Sequence, residues 1–271
     1  MLPVAIAVAP NGGRKVKVDH PAVPLTPAEL AVVAAHCRDA GAAMIHAHVR
    51  NPDGSHLLDA AAYTDAIAAI RSAVGNQLVI QITSEALGKY TPAQQRAVIQ
   101  AVKPEAASMA LRELVPDASE ETAFSDLLGW MKRERVVPQI ILYDVQDAAR
   151  LADLQKRGAV PFDRIPVLFV LGRYTAGQTS SPNDLLPFLA PDAPSFAHWS
   201  LCAFGAQEIA CVTAGALLGG HIRVGFENNE WLPDGSRAKG NQDLVAAARA
   251  AIEAVGLKAA TADDLRAATA L

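Results

Sequence analysis

The chain has 271 residues, 51% of them hydrophobic, and a formal net charge of −4. That balance excludes the usual grounds for expecting a nucleic acid or an anionic membrane surface as partner. The one basic run, Arg14-Lys15-Val16-Lys17, is too short to coat a polyanion.

Three cysteines, Cys37, Cys202 and Cys211, form an odd set without a Cys-x-x-Cys pair, so neither a disulfide framework nor a thiolate zinc site is expected. No apolar stretch reaches membrane-spanning length, and no charged segment precedes the first apolar run. The expected setting is the cytoplasm.

In chain order, Val4–Ala9 is a continuous apolar run closed by Pro10-Asn11-Gly12-Gly13, the pattern of a strand buried on both faces. Thr26-Pro27-Ala28-Glu29 then opens a helix, with Thr as N-cap, Pro at the first position and Glu at the third, and Gly41 stops it. Ala42 to Arg50 reads as the second strand, and a helix follows from about Asp59 to Ser72. The alternation continues. Strands are expected at Leu78–Thr83, Ala106–Leu111, Val137–Tyr143, Ile165–Leu171, Phe196–Cys202 and His221–Phe226. Helices are expected after Thr91, over Glu120–Lys132 and Asp147–Arg157, briefly after Ser181, and over Gln207–Leu218 and Asn241–Ala254.

About eight β-then-α units without a linker or composition break predict a single-domain (β/α)8 TIM barrel over residues 1–271. A doubly wound open sheet is the alternative, and the absence of Gly-x-Gly-x-x-Gly after the first strand weakens its dinucleotide-binding form.

A barrel of this kind carries its active site at the C-terminal ends of its strands. On the second strand, a period of two puts Met44, His46, His48 and Arg50 on one face and Ala43, Ile45, Ala47 and Val49 on the other. Two imidazoles on one face near a strand end are plausible metal ligands; the bland alternative is a pair of hydrogen-bonded core histidines. On the last strand the same period aligns Arg223, Gly225 and Glu227, while Val224 and Phe226 face the helices. Barrel closure leaves Glu227 one strand away from the histidines. His46, His48 and Glu227 together make the ligand composition of a catalytic zinc site, and the alternative for Glu227 is a salt bridge to Arg223 or Arg50. Cys37 and Cys211 read as buried small hydrophobes, His20 and His56 as solvated loop residues, and Asp53-Gly54 as a tight turn.

With these residues in view, the chain resembles the β-keto acid cleavage enzymes, the family typified by 3-keto-5-aminohexanoate cleavage enzyme. The resemblance runs over nearly the whole chain. It rests on Val8–Gly12, Pro24–Glu29, Gly41–Arg50, Pro104–Ser108, Phe169–Gly172 and Gly219–Glu227. It implies a homo-oligomeric barrel, with a tetramer favoured, and a divalent metal, typically zinc, on His46, His48 and Glu227. It also implies acetyl-CoA as cosubstrate for cleavage of a small β-keto acid, giving acetoacetate and a new acyl-CoA. Thr83 or Ser84, and Ser108, would hold the substrate carboxylate, and Arg223 would partner the base.

Two departures from the family pattern bear on mechanism. Where the family commonly has an aspartate base, this chain has Asn228, and an amide cannot take the proton at neutral pH. Where the family commonly has Thr-Gly-Gly, this chain has Ser84-Glu85-Ala86. Glu85 is therefore the candidate base, with Asn228 now a hydrogen-bonding neighbour in the site, and a loop or capping carboxylate is the alternative for Glu85. Arg14 stands where the resemblance places a glutamate that meets a substrate ammonium group, and arginine there points to a distal anionic group on the substrate. Its alternative is a solvated loop cation near CoA phosphates. Two other functions fit the same residues: a metal-dependent aldolase or hydrolase, and a non-catalytic metal- and ligand-binding homologue.

Overall fold

Eight parallel strands close into one barrel in the computed structural model, which describes residues 2–269. They are β1 (Ile6–Val8), β2 (Met44–Ala47), β3 (Val79–Thr83), β4 (Ala106–Ala110), β5 (Val137–Leu142), β6 (Val167–Leu171), β7 (Trp199–Ala203) and β8 (His221–Val224). Each pairs with the next in sequence, and β1 closes the ring on β8 with Ala7 opposite Arg223. This is the (β/α)8 architecture that the repeat predicts.

The helices between strands begin where the sequence supplies caps. Thr26 accepts the Glu29 N–H at 3.2 Å, Glu29 accepts the Thr26 N–H in return, and Pro27 opens α1 (Pro27–Ala40). Asp59 caps α2 (Ala60–Val74), and Thr91 with Gln94 repeats the capping box at α3 (Pro92–Val102). The longer helices that follow are α4 (Glu121–Glu134), α5 (Val145–Lys156), α6 (Glu208–Leu217), α7 (Asn241–Ala254) and α8 (Ala262–Thr269), with a single helical turn at Leu111–Leu114 after β4.

Strand alternation divides the interior. Ile80 and Ile82 of β3, and Ile140 and Leu142 of β5, pack into the main core against the helices. Val79, Gln81, Thr83, Gln139 and Ile141 point to the barrel axis, where they line its cavities.

Four features differ from the sequence-based expectation. The run from Ala42 to Arg50 is not one strand: β2 stops at Ala47, and Val49–Arg50 turns away to pair antiparallel with His56–Leu57. The cause is Asn11, which accepts the His48 N–H at 3.3 Å and donates to the His48 carbonyl at 3.0 Å. A side chain thus replaces the ladder at that residue. The segment after Ser181 is a 3₁₀ helix (Pro182–Leu189) containing Pro187, which has no N–H to donate to an α-helical ladder. α8 is an addition that closes the barrel's N-terminal end: Leu265 packs with Ala5 and Met44, and Arg266 binds Glu105 at 2.6 Å. Finally, His20 and His56 are buried, not solvated; His20 Nε2 donates to the Ala238 carbonyl at 2.9 Å and His56 Nε2 to the Glu85 carbonyl at 2.7 Å.

All three cysteines are free and buried. No helix among the described residues is long and apolar enough to cross a membrane.

Candidate active site

β2, the residue that follows it and the turn after β8 bring His46, His48 and Glu227 to one point. The two Nε2 atoms are 3.1 Å apart, and Glu227 Oε2 lies 3.5 Å from His46 Nε2 and 3.3 Å from His48 Nε2. Neighbouring donors of a tetrahedral zinc site with bonds of roughly 2.0–2.1 Å are separated by about 3.3 Å. The three measured separations match that spacing. Glu227 Oε2 is also buried without a hydrogen-bond partner, an oxygen that a cation would satisfy. The residues fit a divalent metal.

Each donor is held from behind. His46 Nδ1 donates to Gln81 Oε1 at 2.8 Å, with Ser108 Oγ 3.4 Å from the same nitrogen, which leaves the Nε2 lone pair facing the metal point. Gln81 is itself oriented by Gln139 at 3.1 Å, and Gln139 by Ser200 at 3.3 Å. Burial pushes the His46 pKa down to about 3, so the imidazole is neutral, as ligation requires. The Asn11 clamp fixes the backbone of His48. Burial opposes the Glu227 charge, yet the Arg223 guanidinium, 3.1 Å from Oε1, holds its carboxyl well below the usual range.

Close backbone approach makes this convergence possible. Gly225 has φ 137°, and a Cβ there would sit 2.4 Å from the Ala9 carbonyl oxygen. Its N–H donates to Glu208 Oε1 at 3.2 Å, and Asn229 Nδ2 donates to Oε2 at 3.3 Å, so this buried acid, its pKa raised by burial, braces the turn from beneath. Gly12 has φ 57°, and a Cβ there would lie 2.6 Å from Glu227 Cγ. Arg50, aligned with the histidines by the sequence pattern, points elsewhere. Its guanidinium donates to the carbonyls of Asn11, Gly12, Lys15 and Gly54, tying down the loop after β1.

A cleft opens over the metal group between Thr83, Glu85, Glu113, Tyr143 and Arg173. Glu85 Oε2 lies 3.7 Å from His48 Nδ1 and its Oε1 3.3 Å from Arg173 Nη2, so this carboxylate belongs to the cleft. It caps no helix, since α3 begins only at Pro92. Asn228 accepts from Arg223 Nη2 at 3.4 Å while its own Nδ2 has no partner.

Of the residues expected to hold substrate, Thr83 lines the cleft. The other three sit elsewhere. The Ser84 hydroxyl faces away, toward Gln95 Oε1 at 3.3 Å and the Ser108 carbonyl at 3.4 Å, because its neighbour Thr83 takes the inward phase of the strand. Ser108 is fully buried behind His46, and Arg14 is exposed on the loop after β1.

Sequence reasoning puts Arg173 at the catalytic end of the sixth strand without giving it a role, and passes over Glu113 and Gln81. Arg173 directly follows the Gly172 that ends β6, a catalytic-end position in any barrel. Gln81 is the polar residue inside an otherwise apolar run. Glu113 carries no comparable signal. A second cavity of about 470 Å³ at the barrel's other end, among Ala5, Met44, Leu168 and Leu265, contains none of the three metal donors.

Fold and site together define a (β/α)8 barrel with a three-donor group that fits a metal at the C-terminal ends of its strands. The chain belongs to the β-keto acid cleavage enzyme family, whose model matches residues 3–271. It is 29% identical to 3-keto-5-aminohexanoate cleavage enzyme of Acetoanaerobium sticklandii over 245 residues, covering 89% of this chain and 88% of that one. It is 27% identical to 3-oxoadipate:acetyl-CoA acetyltransferase of Cupriavidus necator, covering 98% and 94% respectively. Among solved structures, apo ObcA superposes with a TM-score of 0.71 at 16% identity, over 92% of this chain and 65% of that longer one, which bears on the fold alone.

Proposed function

We propose that the protein is a zinc-dependent enzyme that reacts a β-keto acid with acetyl-CoA to give acetoacetate and a new acyl-CoA. The observation that carries this reading is the convergence of His46, His48 and Glu227 with Glu85 in the same cleft. Family membership and the acetyl-CoA named for the Cupriavidus relative support the cosubstrate.

A zinc ion held by His46, His48 and Glu227 would supply a Lewis acid toward the keto oxygen. Glu85 takes a proton from the carbon between the ketone and the carboxylate, and Thr83 beside it orients the substrate. The resulting carbanion attacks the acetyl thioester and expels CoA thiolate. The thiolate then adds to the original keto carbon, and the bond from that carbon to the former methylene breaks. Acyl-CoA departs, and Glu85 returns its proton to the leaving carbanion to give acetoacetate. Arg223 holds Glu227 and Asn228 throughout. The substrate proposed carries a distal anionic group, and the working form is a cytoplasmic homo-oligomer, a tetramer by family resemblance.

The test is metal analysis combined with an acetyl-CoA-dependent screen of β-keto acids, on the wild type and on Glu85→Gln. Wild-type protein is expected to bind one zinc per chain and form acetoacetate. Glu85→Gln is expected to keep the metal and lose about 10²- to 10⁴-fold in kcat. Turnover that consumes no acetyl-CoA would indicate an aldolase or hydrolase instead. Substrate binding with no product would indicate a non-catalytic homologue, and full activity in Glu85→Gln would remove this residue from the mechanism.

A further inference from the structure

Arg173 lines the cleft, and among the described residues its one side-chain hydrogen-bond partner is Glu85, 3.3 Å away. The guanidinium lies 5.2 Å over the Phe204 ring. Neighbouring arginines have other duties: Arg223 serves Glu227 and Asn228, Arg50 serves backbone carbonyls, and Arg112 serves Asp144 and Asp147. Arg14, the position that first suggested a distal anion, is exposed outside the cleft.

Glu85 and Arg173 meet in the lining of the cleft, whose cavity over the three donors is only about 20 Å³, room for a single water. A β-keto acid therefore enters only as lining side chains move, and a carboxylate on it can take the place of Glu85 against Arg173. Glu85 already shows that a carboxylate fits against this guanidinium. Close by, Glu113 accepts the Ala86 N–H at 2.9 Å, and burial pushes its pKa up to about 7, so near neutral pH it opposes an incoming anion only weakly.

We propose that Arg173 recognises a second, distal carboxylate on the β-keto acid, which displaces Glu85 from the guanidinium, opens the cleft and turns Glu85 toward the substrate's acidic carbon. The inference rests on the β-keto acid reading above and makes a β-keto dicarboxylate the preferred substrate class. Arginine suits the task because its planar fork binds carboxylate through two parallel hydrogen bonds.

The experiment compares two β-keto acids of equal length, one ending in a carboxylate and the other in a carboxamide. Both are assayed with acetyl-CoA and zinc on the wild type, Arg173→Gln and Arg14→Gln, and both are titrated calorimetrically without acetyl-CoA. The wild type and Arg14→Gln are expected to favour the carboxylate by roughly 10- to 100-fold in kcat/KM and in affinity. Arg173→Gln, with zinc content and circular dichroism unchanged, is expected to bring the two within about threefold, most of a charge-assisted contact having gone. Equal use or equal binding of the two by the wild type overturns the inference, as does a preference that survives in Arg173→Gln. Selective binding by Arg173 without turnover leaves the recognition standing and contradicts the proposed reaction alone.

Discussion

Glu227 uses its two oxygens for different purposes: Oε1 accepts from Arg223, and Oε2 is left bare toward the two imidazoles. Glu113 is the contrasting carboxyl of the cleft, raised by burial and by its neighbour Glu85 from 4.5 to about 7. An unfolded chain ionises Glu113 near 4.5 while the folded chain keeps its proton to about 7. Its contribution to stability is therefore complete below pH 4.5 and is lost as pH rises through 7. Glu113→Gln removes that loss. Urea unfolding at pH 5 and pH 8 is expected to show the variant gaining about 1–3 kcal/mol on the wild type across this interval. A constant difference would mean that Glu113 titrates normally. At this scale the sequence was informative for His46, His48 and Glu227, because strand period and barrel closure are local or topological rules. It was silent on which of Thr83 and Ser84 faces inward, since that depends on the phase of β3, and on Glu113, whose character comes from burial by distant residues.

Elements matter here chiefly through their ends. Capping boxes at Thr26 and Thr91 sit within four residues of sequence and were legible there. The break at His48 was not, because it depends on Asn11, 37 positions earlier. The turn after β8 is equally non-local, packed as it is against the loop after β1. Gly12→Ala places a methyl group against Glu227 Cγ at a backbone angle that L-residues rarely adopt. The variant is expected to fold, with far-ultraviolet circular dichroism like that of the wild type, and to bind zinc at least about tenfold more weakly, in the range of disturbed metal surroundings. Unchanged zinc affinity would mean that Glu227 does not depend on this contact.

For the whole molecule, the β-then-α repeat made the barrel readable, since each strand pairs with its sequence neighbour. The less regular parts, the 3₁₀ segment and α8, follow from particular residues such as Pro187 and the Thr261–Asp264 cap. His46, His48 and Glu227 join β2 to the turn after β8 across β1, so a metal bound between them should stabilise the barrel as a whole. At free zinc one hundred times its Kd, mass action contributes about 2.7 kcal/mol, and chelation is expected to lower Tm by about 5–10 °C. A melting curve unaffected by chelator would show that the group does not hold metal in the folded state.

The central claim is that the acetyl group of acetyl-CoA becomes part of acetoacetate while CoA passes to the other fragment. It is tested most directly with acetyl-CoA labelled with carbon-13 in its acetyl group and an unlabelled β-keto dicarboxylate. Labelled acetoacetate and unlabelled acyl-CoA are expected in equal amounts. Label recovered as free acetate, or as unreacted acetyl-CoA beside cleaved β-keto acid, would contradict it.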